Sequence, residues 1–341
     1  MKLERKNVSY KDACRLDLLR AALVSICLVV FATSGNANVV TNLFRVVVDG
    51  KVGFIDETGR LRIAARFDYA LDFSEGLAGV AVNNKWGYIN TDGKVVVPLK
   101  FSKANQFSDG LAAVHAADQK VGYIDKSGVF VISAKFDFGG PFVAGLAPVQ
   151  QGEQYGFIDK KGETVVSFDF CSVQPFYDED FAPVKKNGKW GFIDRKGKLI
   201  IPPVFEDAGT FNAGLAPVRK LGKWGYIDNN GNLKIAPIFE YASSFEEGLA
   251  TVTIKEKAGY IGTNGNFIIE PNFDTAMPFT QGLAAVELSG KWGFINKNGE
   301  IVIPVRFDSV DYYWNGLISV SEGNEGGYLN LKGEYIWKMP K

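Results

Sequence analysis

The sequence predicts an all-β protein built from tandem units of about 34 residues, each a three-stranded antiparallel β-hairpin array. Three observations carry this. The stretch at residues 189–205, KWGFIDRKGKLIIPPVF, recurs along most of the chain. Its central glycine returns at Gly53, Gly87, Gly122, Gly156, Gly191, Gly225, Gly259, Gly293 and Gly327, always 34 or 35 residues apart. Each copy also carries turn residues at fixed offsets between short apolar runs, so the period is that of a structural unit.

The first strand of a unit is of the GLAPV type, as in residues 214–220. A tight turn such as Asn187-Gly188 or Ser289-Gly290 leads into the second strand, KWGFI or KWGYI. Both central residues of a two-residue hairpin turn need positive φ, which suits this pair type. The second strand runs into Asp-x-x-Gly, as in Asp194 to Gly197 and Asp228 to Gly231. That pattern suits a type I turn closed by a left-handed glycine. Asp or Asn opens eight of these nine turns, and Gly262 is the exception. Such a turn brings one or two oxygens, whereas Ca²⁺ needs six to eight, so turn chemistry accounts for the pattern. The third strand, LIIP or IVIP, is expected to stop at its proline.

Units are joined by Phe-Asp-x-Ala-x-x-Phe-x-x-Gly connectors, for example residues 67–76 and 239–248. Their two phenylalanines are the expected anchors between neighbours, since burying one contributes roughly 1.5–3 kcal/mol. The fourth copy departs, with Cys171 for the Asp and Asp180 for the Gly, and an irregular junction is expected there. Cys171 reads as a buried apolar filler rather than a nucleophile.

Residues 1–37 differ in kind. A basic stretch precedes the apolar AALVSICLVVFA of residues 21–32, too short to span a bilayer but suited to a signal peptide. Gly35 and Ala37 place cleavage after Ala37, leaving residues 38–341 as the repeat domain, with an uncleaved membrane anchor as the alternative. The expected location is the periplasm, cell envelope or extracellular space, with no stable membrane span after cleavage. Removal of Cys14 and Cys27 would leave one cysteine, so packing alone is expected to hold the array.

These motifs in fixed order, KWGFID or KWGYID, Asp-x-x-Gly, a VIP-type strand, Phe-Asp and GLA, resemble the WG-repeat (KWG) family of bacterial β-repeat proteins over residues 43–338. The resemblance implies β-rich arrays, often exported, with binding or scaffolding roles and no shared catalytic residues.

Strand alternation puts Trp190 and Phe192 on one face, and Gly191 and Ile193 on the other. The Ile slot is uniform and reads as interior. The next aromatic slot exchanges Phe for Tyr, which points to a ring whose tip reaches water or a polar partner. Trp86, Trp190, Trp224 and Trp292 share a slot with Ala258 and Gly326. That variability places it at a rim, where the four tryptophans either cover neighbouring hairpins or form a ligand-binding aromatic ladder.

Both chain ends carry whole units, with no strand left over to close a ring by exchange. An open superhelical array is therefore expected, its last strand and C-terminus protecting an edge; a closed β-propeller is the alternative, with the connector supplying a fourth strand. Lys+Arg and Asp+Glu both number 38 and there is one His, which argues against nucleic acid as partner and against general acid–base catalysis. No cofactor or metal is expected. The function read from the sequence is non-catalytic binding of a protein partner. Lectin-like recognition of envelope polysaccharide is the alternative. A carboxylate-based glycosidase using Glu246-Glu247 or the acidic run 178–180 is a minor one.

Overall fold

One unit shows how the rest are made. Strands β1 (Phe44–Val48), β2 (Lys51–Ile55) and β3 (Leu61–Phe67) form the first sheet. The next unit adds the short β4 (Tyr69–Ala70) to β5 (Leu77–Val82), β6 (Lys85–Asn90) and β7 (Val95–Phe101), in the order β4-β5-β6-β7. The computed structural model describes residues 42–177, 180–314, 316–323 and 325–339. Among these, eight four-stranded sheets follow the three-stranded first one, all antiparallel between neighbours. The connector thus supplies the fourth strand, two residues long in most blades.

The predicted turns form. Asn187 and Gly188 both have positive φ, 53° and 77°, as a type I′ hairpin requires. In the Asp-x-x-Gly turn, Asp194 Oδ1 accepts the backbone N–H groups of Lys196 and Lys198, and Gly197 sits at φ 82°. The third strand does not stop at its proline. Pro98 lies inside β7, and Pro202 and Pro203 inside Leu199–Phe205. These are edge strands that bulge away from the ladder, so the missing N–H leaves no partner unpaired. The bulge also explains the repeat glycine: a Cβ on Gly191 would stand 2.5 Å from the Ile201 carbonyl oxygen.

The core is divided among nine seams between successive blades. At the second seam Tyr88, Val97 and Phe101 meet Ala104, Phe107, Ala112, Val114 and Ile124 of the next blade. The Ile slot is fully buried from Ile55 to Leu329, as its uniformity predicts. The Phe/Tyr slot is buried too, apart from the half-buried Tyr328, and its polar partner is protein. Tyr88 Oη donates to the Asn105 carbonyl, Tyr123 to Gly140, Tyr226 to Ser243 and Tyr260 to Met277. Each ring also packs against the connector phenylalanine ahead, Tyr88 on Phe107 at 4.8 Å and Tyr260 on Phe279 at 4.8 Å. The anchoring role of that residue holds.

The ninth seam corrects the expected open array. Phe44, Val46 and Ile55 of the first blade pack with Leu317, Tyr328, Ile336 and Trp337 of the last. Tyr328 Oη donates to the Arg45 carbonyl at 2.6 Å. The all-β tandem repeat stands, and its arrangement is the closed alternative, a nine-bladed β-propeller. Among the described residues no strand is exchanged. The faces of the end blades are themselves complementary, so side-chain packing closes the ring. Ile336 and Trp337 are accordingly a closing surface rather than a protective cap.

Cys171 is buried as predicted, 8% exposed, in a junction that keeps its short strand Ser172–Val173. The predicted leader, residues 1–37, and residues 178–179 lie outside the described residues.

Candidate functional site

Every blade presents the same two ends, so the ring has two chemically distinct faces. One face carries the Asp-x-x-Gly turns and the connector turns. The other carries the first hairpin turn, the Phe-Asp corner and the tryptophan slot. Across this second face a blade shows one row of paired residues, for instance Tyr69, Ala81, Trp86 and Phe101.

Charge pairs organise its rim. The lysine opening the second strand reaches the corner acid of its own unit, as in Lys257–Asp274 at 2.6 Å; Lys51–Asp68, Lys120–Asp137 and Lys291–Asp308 repeat the pairing. The second carboxylate oxygen of Asp274 accepts the Ser289 N–H from the following blade's hairpin turn. One corner acid therefore ties two blades. The lysine partner, then the turn N–H, holds Asp68, Asp137, Asp274 and Asp308 below the usual carboxylate range. His115, the one histidine, is shifted down by burial and then by the Lys103 charge.

The four predicted tryptophans all lie on this face, in blades two, five, six and eight. Trp190 is 9% exposed, and Trp86, Trp224 and Trp292 are half-buried against their seam cores. The three half-buried rings remain partly at the surface. Blades five and six are neighbours, so Trp190 and Trp224 occupy adjacent positions, and the other two are separated from them. Ala258, in the same slot, is buried, 2% exposed, and packs in the seam core of its own blade.

Sequence reasoning missed the more exposed aromatics. Tyr69 (59% exposed), Phe138 (45%) and Tyr241 (50%) occupy the first position of the short connector strand, at the same end of the blade. Tyr69 lies nearly parallel to Trp86, with ring centroids 6.4 Å apart, and Phe138 meets Tyr155 edge-on at 6.0 Å. Leu221, at the hairpin turn beside Trp224, is 86% exposed and held at φ 53°. The available signal was the variable x of Phe-Asp-x-Ala, which is Tyr, Phe or Tyr in these three connectors and Lys, Ser, Asp or Thr in others.

The carboxylates named for glycoside chemistry are engaged in the fold. Glu247 accepts the Gly282 N–H and pairs with Lys297 at 3.0 Å; Asp180 pairs with Arg195 at 3.1 Å. Asp178 and Glu179 are outside the described residues. Among the described residues, no three His, Cys, Asp or Glu side chains gather as a metal site needs.

A family model described as "WG containing repeat" matches residues 53–86, 86–114, 122–155, 155–190, 190–224, 224–257, 259–292 and 292–325. The chain belongs to the WG-repeat family. Its tryptophan slot is the W of that name, and the glycine beside it is the one forced by the bulged third strand. Comparison with curated proteins gives no match. Among solved structures, this WG-repeat chain is similar to a eukaryotic initiation factor. The TM-score is 0.63 at 11% identity, over 87% of this chain and 95% of that one. It is also similar to BamB from Moraxella catarrhalis, with TM-score 0.46 and 11% identity, covering 78% and 91% of the two chains. A third is PorZ, a surface component of the type-IX secretion system of Porphyromonas gingivalis. There the values are TM-score 0.36 and 10% identity, over 79% and 44%. The first of these likenesses concerns the fold alone. Among the described residues no helix is long and apolar enough to cross a membrane.

Proposed function

We propose that this WG-repeat propeller is an exported, non-catalytic scaffold that docks a protein partner on its tryptophan face. The observation that carries the reading is the set of exposed apolar side chains, Tyr69, Phe138, Tyr241 and Leu221, on a rim stiffened by Lys–Asp pairs. Exposed aromatic groups on a rigid frame lose little conformational entropy on binding and make good anchors. Several similar subsites on one ring add avidity. The basic and apolar leader of residues 1–37 supports export. The shifted titratable groups support the absence of catalysis, because the phenols of Tyr88, Tyr123, Tyr226 and Tyr260 and the corner acids all serve seams and turns.

A second reading has one observation of its own. Tyr69, well exposed and near-parallel to Trp86, offers an aromatic surface of the kind that stacks on a sugar ring. Trp190, Trp224 and Trp292 extend either reading around the face.

The test compares residues 38–341 with a Tyr69→Ser, Phe138→Ser, Tyr241→Ser variant of unchanged circular dichroism. Each is used to capture envelope proteins and is applied to peptidoglycan beads. Loss of a defined protein partner in the variant supports docking, and loss of bead binding alone supports the glycan reading. Equal capture by both proteins, or turnover of any polysaccharide, would overturn the proposal.

A further inference from the structure

The opposite face contains one break in its regularity. In eight turns the opening Asp or Asn side chain accepts two backbone N–H groups, two and four residues on. Asp125 Oδ1, for example, takes Ser127 and Val129, and Asn296 Oδ1 takes Asn298 and Glu300. In the seventh blade that residue is Gly262. Its φ is outside the positive region, and a Cβ there would meet Asn264 Oδ1 at 3.4 Å and Ile268 at 3.5 Å, ordinary contact distances. Neither backbone nor space demands a glycine.

The missing side chain coincides with a shallow, open cleft of about 380 Å³ at the seam of blades seven and eight. Glu247, Leu249, Gly262, Thr263, Asn264, Ile268 and Lys297 line it. Asn264 Oδ1 takes over one orphaned donor, the Asn266 N–H. The Asn264 N–H, whose counterparts all have a side-chain acceptor, points to the vacated position. Around it stand the Asn264 amide, the Thr263 hydroxyl and the Lys297 ammonium. That ammonium is held by the Glu247 carbonyl at 3.0 Å and its carboxylate at 3.0 Å, with a third proton to offer. Leu249 and Ile268 supply apolar walls.

We infer that this cleft binds a carboxylate, supplied in trans where the other turns supply their own oxygen in cis. Beside the acceptors Asn264 Oδ1 and Glu247, the gap is left with the Asn264 N–H and the remaining Lys297 proton, and the cation favours a carboxylate over a neutral amide. The carboxylate comes either from a small free acid or from an Asp side chain of a bound polypeptide. The site lies at the far end of the strands from the tryptophan face, so it stands or falls independently of the docking proposal.

The experiment titrates ¹⁵N-labelled residues 38–341 with sodium acetate, and separately with an N-acetylated, C-amidated Leu-Asp dipeptide, against sodium chloride of equal ionic strength. The expected result is a saturable shift of the Thr263, Asn264 and Gly265 amides. Gly262→Asp, which restores the cis carboxylate, should weaken it at least about tenfold, the equivalent of 1.4 kcal/mol. The same variant should raise Tm, and Gly262→Ala, which leaves the oxygen position vacant, should keep binding. Tighter binding of the dipeptide assigns the site to a polypeptide carboxylate, and equal binding to a free acid. No saturable shift with either probe, or an undiminished shift in Gly262→Asp, overturns the inference.

Discussion

The second and ninth seams perform the same task with different residues. At the second, Tyr88 meets the connector Phe107 edge-on and donates to the Asn105 carbonyl. At the ninth, the position aligned with Phe107 is Val39, outside the described residues, and the ring comes from elsewhere. Phe44 occupies a slot that is alanine in the next seven units, Ala78 to Ala284, and packs on Tyr328 at 6.0 Å. The phenol then donates to Arg45 in the first strand rather than to a connector. Trp337, at a slot held by Val97 or Ile303 in other units, adds bulk against the same tyrosine at 6.3 Å. The lesson is that complementary bulk on the two end faces makes the seam that closes the ring.

The largest effect should come from the rings themselves. Phe107→Ala should cost about 3–5 kcal/mol in denaturant unfolding, the range for deleting a buried phenyl group. Phe44→Ala should cost as much and also open the ring, visible as a larger radius of gyration in solution scattering. An unchanged radius would mean that Phe44 does not close it.

The phenols come next. Tyr88→Phe and Tyr328→Phe should each cost about 1–2 kcal/mol by leaving a carbonyl unpaired, and a smaller loss at Tyr328 would mark the closure seam as the wetter one. Burial raises the phenols of Tyr88, Tyr123, Tyr226 and Tyr260 well above their ordinary value. Their neutral forms therefore stabilise the fold fully below about pH 10, the unfolded value, and that stability drains away as pH rises beyond it. Tyr88→Phe should flatten this alkaline loss, measured as Tm against pH.

Leu221→Asn should raise stability by roughly 1 kcal/mol, because an asparagine tolerates the left-handed backbone that a leucine adopts at a cost. An unchanged or lower Tm would show that the leucine makes a compensating contact. The smallest effect is expected at the corner acids. Asp274→Asn should lower Tm slightly near neutral pH and low salt. The difference should shrink with added salt and vanish as pH falls through the depressed carboxylate value, since a lowered pKa stabilises only while the group is charged.

Much of this was legible in the linear order of residues. Turn types, the interior Ile slot and the anchoring connector phenylalanine follow from local geometry and side-chain alternation, which any 34-residue copy contains in full. Strand continuation through Pro98 was not, because whether a missing N–H matters depends on which edge of the sheet is free. The exposure of Tyr69, Phe138 and Tyr241 was hidden in a variable connector position whose direction is set only by the neighbouring blade.

By itself, then, the sequence determined the repeating blade: its period, its turns and the faces its side chains bury, all set by interactions within some 34 residues. Only the tertiary structure decided that nine blades bend into a ring, because curvature accumulates from small rotations at every seam. It also decided that Phe44 and Tyr328, nearly three hundred residues apart, would meet to close it, since no local pattern encodes the distance between the two ends.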